Sequence, residues 1–185
     1  NQGDVVLVAS MTNEQGRRGA YEDCQTILRS WGTFGQLFEV YKSPRRIVCR
    51  RNNTPSGRSG VLEFASFDDP ETAKGTACDW VFINEANKFT LQQYLDLAAN
   101  ARKGVIIDYN PNQHFWIDDQ LEPEEILLCS WQDNAKHLTP AQLEWFQKLK
   151  DNAMREGATA ADWYYYQVYY LNQYSDLAGD IFTPA

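Results

Sequence analysis

The residues with the most chemical promise stand where an apolar run gives way to polar residues: Asp79-Trp80-Val81-Phe82-Ile83, then Asn84-Glu85. A buried strand of this kind delivers the side chains that follow it to the carboxyl edge of a sheet, the edge where α/β folds bind ligands. A carboxylate at that edge, Glu85, can orient an attacking water and take its proton, which is what phosphoryl transfer to water requires. Asn84 is a neutral oxygen donor that can meet a metal-bound water, without the charge a carboxylate would add there. Taken alone, a strand ending in Asn-Glu more often gives either residue a simple helix-cap role than a catalytic one. A second apolar run, Val105-Ile106-Ile107, ends in Asp108-Tyr109-Asn110-Pro111. If the two strands are parallel neighbours they finish along one edge, and Asn110 can approach the ligand of Glu85 with both a donor and an acceptor. Asn-Pro is also an ordinary turn. Arg17 and Arg18 follow the first apolar run on a glycine-interrupted turn, where a guanidinium can stabilise transferred charge or simply face solvent. No Gly-x-x-x-x-Gly-Lys-Ser/Thr occurs in the sequence. The backbone nest and lysine that hold β- and γ-phosphates are therefore not encoded, which argues against hydrolysis by this chain alone.

The elements that must position these residues alternate along the chain. Val5-Val6-Leu7-Val8 is short and rich in β-branched residues, as a strand buried on both faces should be. Ala20, Tyr21, Cys24, Ile27, Leu28 and Trp31 recur at three- and four-residue spacing, a helical stripe that Gly32 should stop. Strands around Ile47 to Arg50 and Val61 to Phe64 flank the turn formers Asn52 to Gly57, predicting an antiparallel pair with a long loop. Thr90-Leu91-Gln92-Gln93 is a capping box that starts a helix, with Leu91, Tyr94, Leu95 and Ala98 expected inward and an end near Gly104. Ile126 to Ser130 reads as a further buried strand, and Thr139-Pro140 starts a helix lasting to about Gly157. Trp163 to Leu171, crowded with tyrosines, reads as a helix whose aromatics pack against a missing neighbour rather than against bases. Strands alternating with helices, without an internal repeat, predict a three-layer α/β domain read as one continuous unit.

Composition narrows the function classes. At 185 residues and 43% hydrophobic content the chain is about the size of one domain with a substantial core. No run approaches the roughly 20 apolar residues of a membrane helix. Cys24, Cys49, Cys78 and Cys129 form no C-x-x-C pair, and His114 and His137 have no ligand neighbour at useful spacing, so a zinc or redox site is not suggested. The cysteines read as reduced core thiols. A formal charge of −8 disfavours whole-surface attraction to nucleic acid, with one local exception. Lys42, Arg45, Arg46, Arg50, Arg51 and Arg58 fall in a stretch without an acidic residue, either a solvated hairpin face or a contact for DNA or a phosphate-bearing partner.

Taken in order, these segments resemble the large terminase subunit of tailed bacteriophages. Val5 to Val8 with Met11-Thr12-Asn13 and Arg17 looks like the strand and arginine-bearing turn after the family's Walker A helix. Ser43 to Phe64 looks like its hairpin, and Asp68 to Gly75 like the loop before Walker B. Trp80 to Asn87 is similar to the Walker B strand, in its Asn-Glu-Ala-Asn version. Ile106 to Pro111 looks like the coupling motif, Ser130 to Asn134 with Leu138-Thr139 resembles the Tyr-x-Asp-Asn segment, and Gly179 to Phe182 resembles the end of the ATPase region. Asn84 in place of an acidic residue, Trp131 in place of tyrosine, and Asn172-Gln173-Tyr174 where glycine is common depart from the pattern. The resemblance implies a partial P-loop NTPase-like domain over residues 1–185, a mostly parallel sheet with an antiparallel hairpin. Walker A would lie before it, a nuclease domain after it, and a helical linker over 160–185. It further implies ATP and Mg²⁺ as cofactors, with Glu85, Asn110 and Arg17 catalytic and Asn84 supporting the metal through water. Its partners would be double-stranded DNA, the portal protein, the small terminase subunit and further copies in a ring, in the host-cell cytoplasm and with no membrane.

Overall fold

A computed structural model describes residues 3–12, 17–49, 59–67 and 77–175, with Arg17 and Arg18 as backbone only. The chain divides into two compact units, 1–109 and 110–185, whereas the sequence reads as one continuous unit.

The first unit is built around β1 (Val5–Ser10), which has parallel neighbours on both sides, β4 (Val61–Ser66) and β5 (Cys78–Ile83). Leu7 and Ala9 point to one face and Val8 and Ser10 to the other, and all four are buried. Coverage from both sides is the condition a run of β-branched residues is suited to. Beyond β5 lies β6 (Ala101–Ile107), also parallel. Beyond β4 lie β3 (Arg45–Cys49) and β2 (Phe38–Lys42), both antiparallel to their neighbours, giving the order β2-β3-β4-β1-β5-β6. The expected antiparallel pair is thus found, as Ile47↔Leu62 and Val48↔Val61, with Arg50 outside the described residues. Sequence reasoning missed β2, which joins β3 across a tight turn at Ser43-Pro44. Four of its five residues are exposed, so its apolar signal is weak.

Helix α1 (Glu22–Ser30) ends as expected at Gly32, whose φ of +55° suits the residue without a Cβ. Just before it, Tyr21 anchors a cluster with Val8, Ile47 and Phe64, its ring edge-on to Phe64 at 5.1 Å and its hydroxyl donating to the Tyr41 carbonyl at 2.8 Å. Cys24 and Leu28 pack onto this cluster, but Ile27 and Trp31 stay about half exposed, so the stripe is narrower than the spacing suggests. Burial of a side chain such as Leu7, Ile47 or Ile83 stabilises the fold by about 1.5–3 kcal/mol each.

Helix α2 (Leu91–Asn100) begins with the predicted capping box, both halves formed by Thr90 and Gln93. Two expectations fail here. The helix stops at Asn100 because β6 claims residues 101–104 for pairing with β5, Cys78↔Ala101 and Trp80↔Gly104. Gly104 is therefore not a helix terminator. It lies under the Trp80 ring, where an added Cβ would stand 3.0 Å from a ring carbon. The inward face is also rotated: Gln93 and Leu97 are buried, while Leu91 and Leu95 are exposed. A polar residue takes the inward position because its amide is satisfied, Gln93 Nε2 donating to the Phe67 carbonyl at 3.0 Å.

In the second unit, short 3-10 turns at Trp116–Asp119, Pro123–Glu125 and Trp131–His137 precede α3 (Pro140–Met154) and α4 (Ala160–Tyr165), which continues as a wider turn to Tyr170. The two helices match the expected ones, each opened by a threonine capping box. Their aromatics pack on one another. Trp131 stacks on Phe146 at 5.0 Å and meets Tyr170 at 5.4 Å, and Tyr166 stacks on Tyr170 at 5.1 Å. The predicted strand at Ile126 to Ser130 does not form: the segment is irregular, with Leu127 and Leu128 86% and 71% exposed. An apolar run becomes a strand only when a ladder neighbour takes up its backbone groups, and no described strand does so. Cys129 is exposed as well, unlike the core thiol the sequence suggests.

Candidate functional site

The carboxyl edge of the first unit's sheet gathers the ends of β1, β4, β5 and β6. Register places Ile83 beside both Ala9 and Ile107, so Asn84 and Asp108 leave their strands side by side. Backbone bonds extend the ladder past the strand ends. Asn84 N–H donates to the Ala9 carbonyl at 2.9 Å, Asp108 N–H to the Ile83 carbonyl at 3.1 Å, and Ala86 N–H to the Asp108 carbonyl at 2.8 Å.

Glu85 stands at the centre of this arrangement. Its backbone is left-handed, φ +58° and ψ +57°, a conformation costing a side-chain-bearing residue about 1–2 kcal/mol relative to ordinary helical geometry. Its N–H donates to Asp108 Oδ1 at 2.9 Å, and its Oε2 pairs with Lys88 Nζ at 2.6 Å. Glu85 remains about one-third exposed, so its carboxylate is reachable from solvent. Asp108 lies at the surface, yet protein beside its carboxyl withdraws enough water to push the pKa up. The Glu85 N–H bond opposes that shift and the Glu85 charge adds to it. Ser10, at the end of β1, is a rim residue that sequence reasoning missed. It is 1% exposed, and its hydroxyl has no hydrogen-bond partner among the described residues. Only its position as the last residue of an apolar strand hinted at it.

Asn84 and Glu85 are thus brought to one edge with Asp108. Asn110 follows Asp108 by two residues and opens the second unit, where its carbonyl accepts the Asn112 N–H at 2.8 Å. The Arg17 and Arg18 side chains lie outside the described residues, as do Arg50, Arg51 and Arg58. Arg45 and Arg46 are half-buried on β3, and Arg46 lies over the Tyr41 ring at 4.5 Å, a cation–π contact that fixes one cation of the basic stretch. Among the described residues no group of three His, Cys, Asp or Glu side chains could hold a metal ion. His114 instead pairs with Asp118 at 2.8 Å and stacks on Tyr174 at 4.1 Å. No described helix is long and apolar enough to cross a membrane.

No protein-family model and no curated protein matches this sequence. Solved structures do match its fold. The large terminase of a thermophilic bacteriophage, solved with ADP, superposes at a TM-score of 0.65 and 17% identity over 94% of this chain and 41% of its own. The large terminase of bacteriophage HK97 gives 0.59 and 11% over 94% and 40%. The ATPase domain of the Thermus phage P74-26 large terminase gives 0.56 and 16% over 95% and 78%. The chain has the mixed α/β fold of terminase ATPase domains, a mostly parallel sheet with an antiparallel hairpin, and spans about 40% of the length of the complete large terminases it matches.

Proposed function

We propose that this chain is the water-activating half of a phage DNA-packaging ATPase, with Glu85 as the general base. The supporting observation is the geometry of that residue: an acidic side chain in a left-handed turn at the carboxyl edge of a parallel sheet, reachable from solvent. Conformations of this kind persist where surrounding bonds over-determine them, and they concentrate at working sites. ATP would supply the transferable γ-phosphoryl group, cradled by residues outside this sequence. Glu85 would orient a water and accept its proton, and Lys88, paired to Oε2, would hold the carboxylate aimed until the water arrives. The local donor set fits Mg²⁺ only through the ion's own waters, contacted by Asn84 and Glu85, a mode common for this cation. Asn110 would sense the phosphate and Arg17 would stabilise its charge.

Packaging assigns the other partners. Residues 1–109 carry 13 basic and 13 acidic side chains, so the net −8 falls on residues 110–185. That distribution favours DNA contact by the first unit, through Arg45, Arg46, Arg50, Arg51 and Arg58. The portal protein, the small terminase subunit and a ring of copies complete the motor, working in the host cytoplasm. The same basic hairpin supports a second reading, a non-hydrolytic module that binds DNA or portal. A helicase-like ATPase acting outside packaging is a third, separated from the first by whether procapsids stimulate turnover. The deciding experiment is ATP turnover by the protein carrying both this chain and a Walker A segment, with Glu85→Gln. Near-complete loss with nucleotide binding retained is expected, and turnover at the wild-type rate removes Glu85 from the mechanism.

A further inference from the structure

Asp108 makes three bonds at the rim. Its N–H, its carbonyl and its Oδ1 each join β6 to the segment between Ile83 and Ala86. Two of these bonds are backbone-to-backbone and do not depend on the side chain. The third depends on the side chain and lands on the one residue of the segment with an unfavourable backbone: the Glu85 N–H, in the left-handed region, donates to Asp108 Oδ1 at 2.9 Å. The Ala86 and Asp108 backbone bonds bracket that peptide without fixing its rotation, because the Glu85 N–H itself bonds to no carbonyl among the described residues. Without the carboxylate acceptor, Glu85 could relax to a more favourable φ and swing its side chain away from the edge.

We infer that Asp108 is a positioning residue for Glu85: its side-chain oxygen locks the left-handed turn and thereby sets the direction of the Glu85 carboxylate. This inference rests on Glu85 being the base. Asp108 touches no reacting atom, and what it supplies is an acceptor at a fixed place. That requirement separates it from a general electrostatic role, because asparagine supplies the same oxygen without the charge.

The test compares Asp108→Ala with Asp108→Asn, alongside Glu85→Gln, in the protein that hydrolyses ATP. It is paired with hydrogen exchange at the Glu85 amide in the absence of nucleotide. Asp108→Ala should lower kcat about tenfold, the size of one hydrogen bond, with KM within about twofold of wild type. Its Glu85 amide should exchange about tenfold faster. Asp108→Asn should keep kcat within about threefold and leave amide exchange near the wild-type rate. Unchanged amide exchange in Asp108→Ala, or an Asp108→Asn variant as impaired as Asp108→Ala, overturns the inference. Normal turnover in Asp108→Ala with Glu85→Gln inactive sinks the positioning role alone, while normal turnover in Glu85→Gln sinks the reading beneath it as well.

Discussion

The two ends of the parallel sheet carry similar residue types and treat them in opposite ways. At the amino end, Asp4 accepts the Trp80 Nε1–H at 3.0 Å and pairs with Lys103, while Asp79 accepts the Val5 N–H at 2.9 Å and meets Arg102 at 3.6 Å. The Lys103 hydrogen bond, then that from Trp80, holds the Asp4 carboxyl below its ordinary pKa. At the carboxyl end, Glu85 has a strained backbone, Asp108 is pushed up in pKa, and the buried Ser10 hydroxyl lacks a described partner. One end is neutralised and hydrogen-bonded as a structural seam should be. The other keeps strain and unmet polar capacity that a purely structural edge would have relaxed.

That contrast can be sharpened by substitution. The largest stability effect belongs to neither rim but to the β5–β6 seam: Gly104→Val drives a side chain into the Trp80 ring and should cost about 1–3 kcal/mol, read as a lower denaturation midpoint. An unchanged midpoint would mean that the two strands part more easily than their register implies. A smaller effect distinguishes the rims by pH. Because the folded-state pKa of Asp108 is raised, the native protein holds its proton longer than the unfolded chain. Stability from this group therefore falls as pH climbs from the ordinary carboxylate value of 3.8 through the folded value. Asp108→Asn should flatten that loss and be at least as stable as wild type at neutral pH, checked by thermal melts across the acid range. Asp4 has the opposite sign. Its stabilisation is present above 3.8 and fades as pH drops through the lowered folded value, so Asp4→Asn should lose least at the acid end of the same series. The smallest change expected is Leu127→Ser, at a position already 86% exposed, with a midpoint shift within about 0.5 kcal/mol.

Much of this was legible in the sequence where the signal was local. The runs before Glu85 and Asp108 became parallel neighbours ending on one edge, and the caps read at Thr90 and Thr139 both formed, while the one at Thr159 was missed. Gly32 stopped its helix for the expected reason. What failed depended on neighbours. Gly104 looked like a helix stop but serves Trp80 across the ladder, and Gln93 went inward because Phe67, 26 residues away in sequence, offers it a carbonyl. Ile126 to Ser130 has a strand's composition without a strand's partner. Glu85 and Asn84 could be singled out by type and place. The left-handed turn and its Asp108 acceptor could not, since no residue preference betrays a glutamate at positive φ.

The most direct measurement sets one carboxylate from each end against the other: ATP turnover by Glu85→Gln and by Asp4→Asn in the same nucleotide-binding protein, each normalised to its folded fraction. Glu85→Gln should lose nearly all turnover while still binding nucleotide, and Asp4→Asn should turn over at close to the wild-type rate. Equal losses in the two variants, or undiminished turnover in Glu85→Gln, would contradict the assignment of the carboxyl edge as the working one.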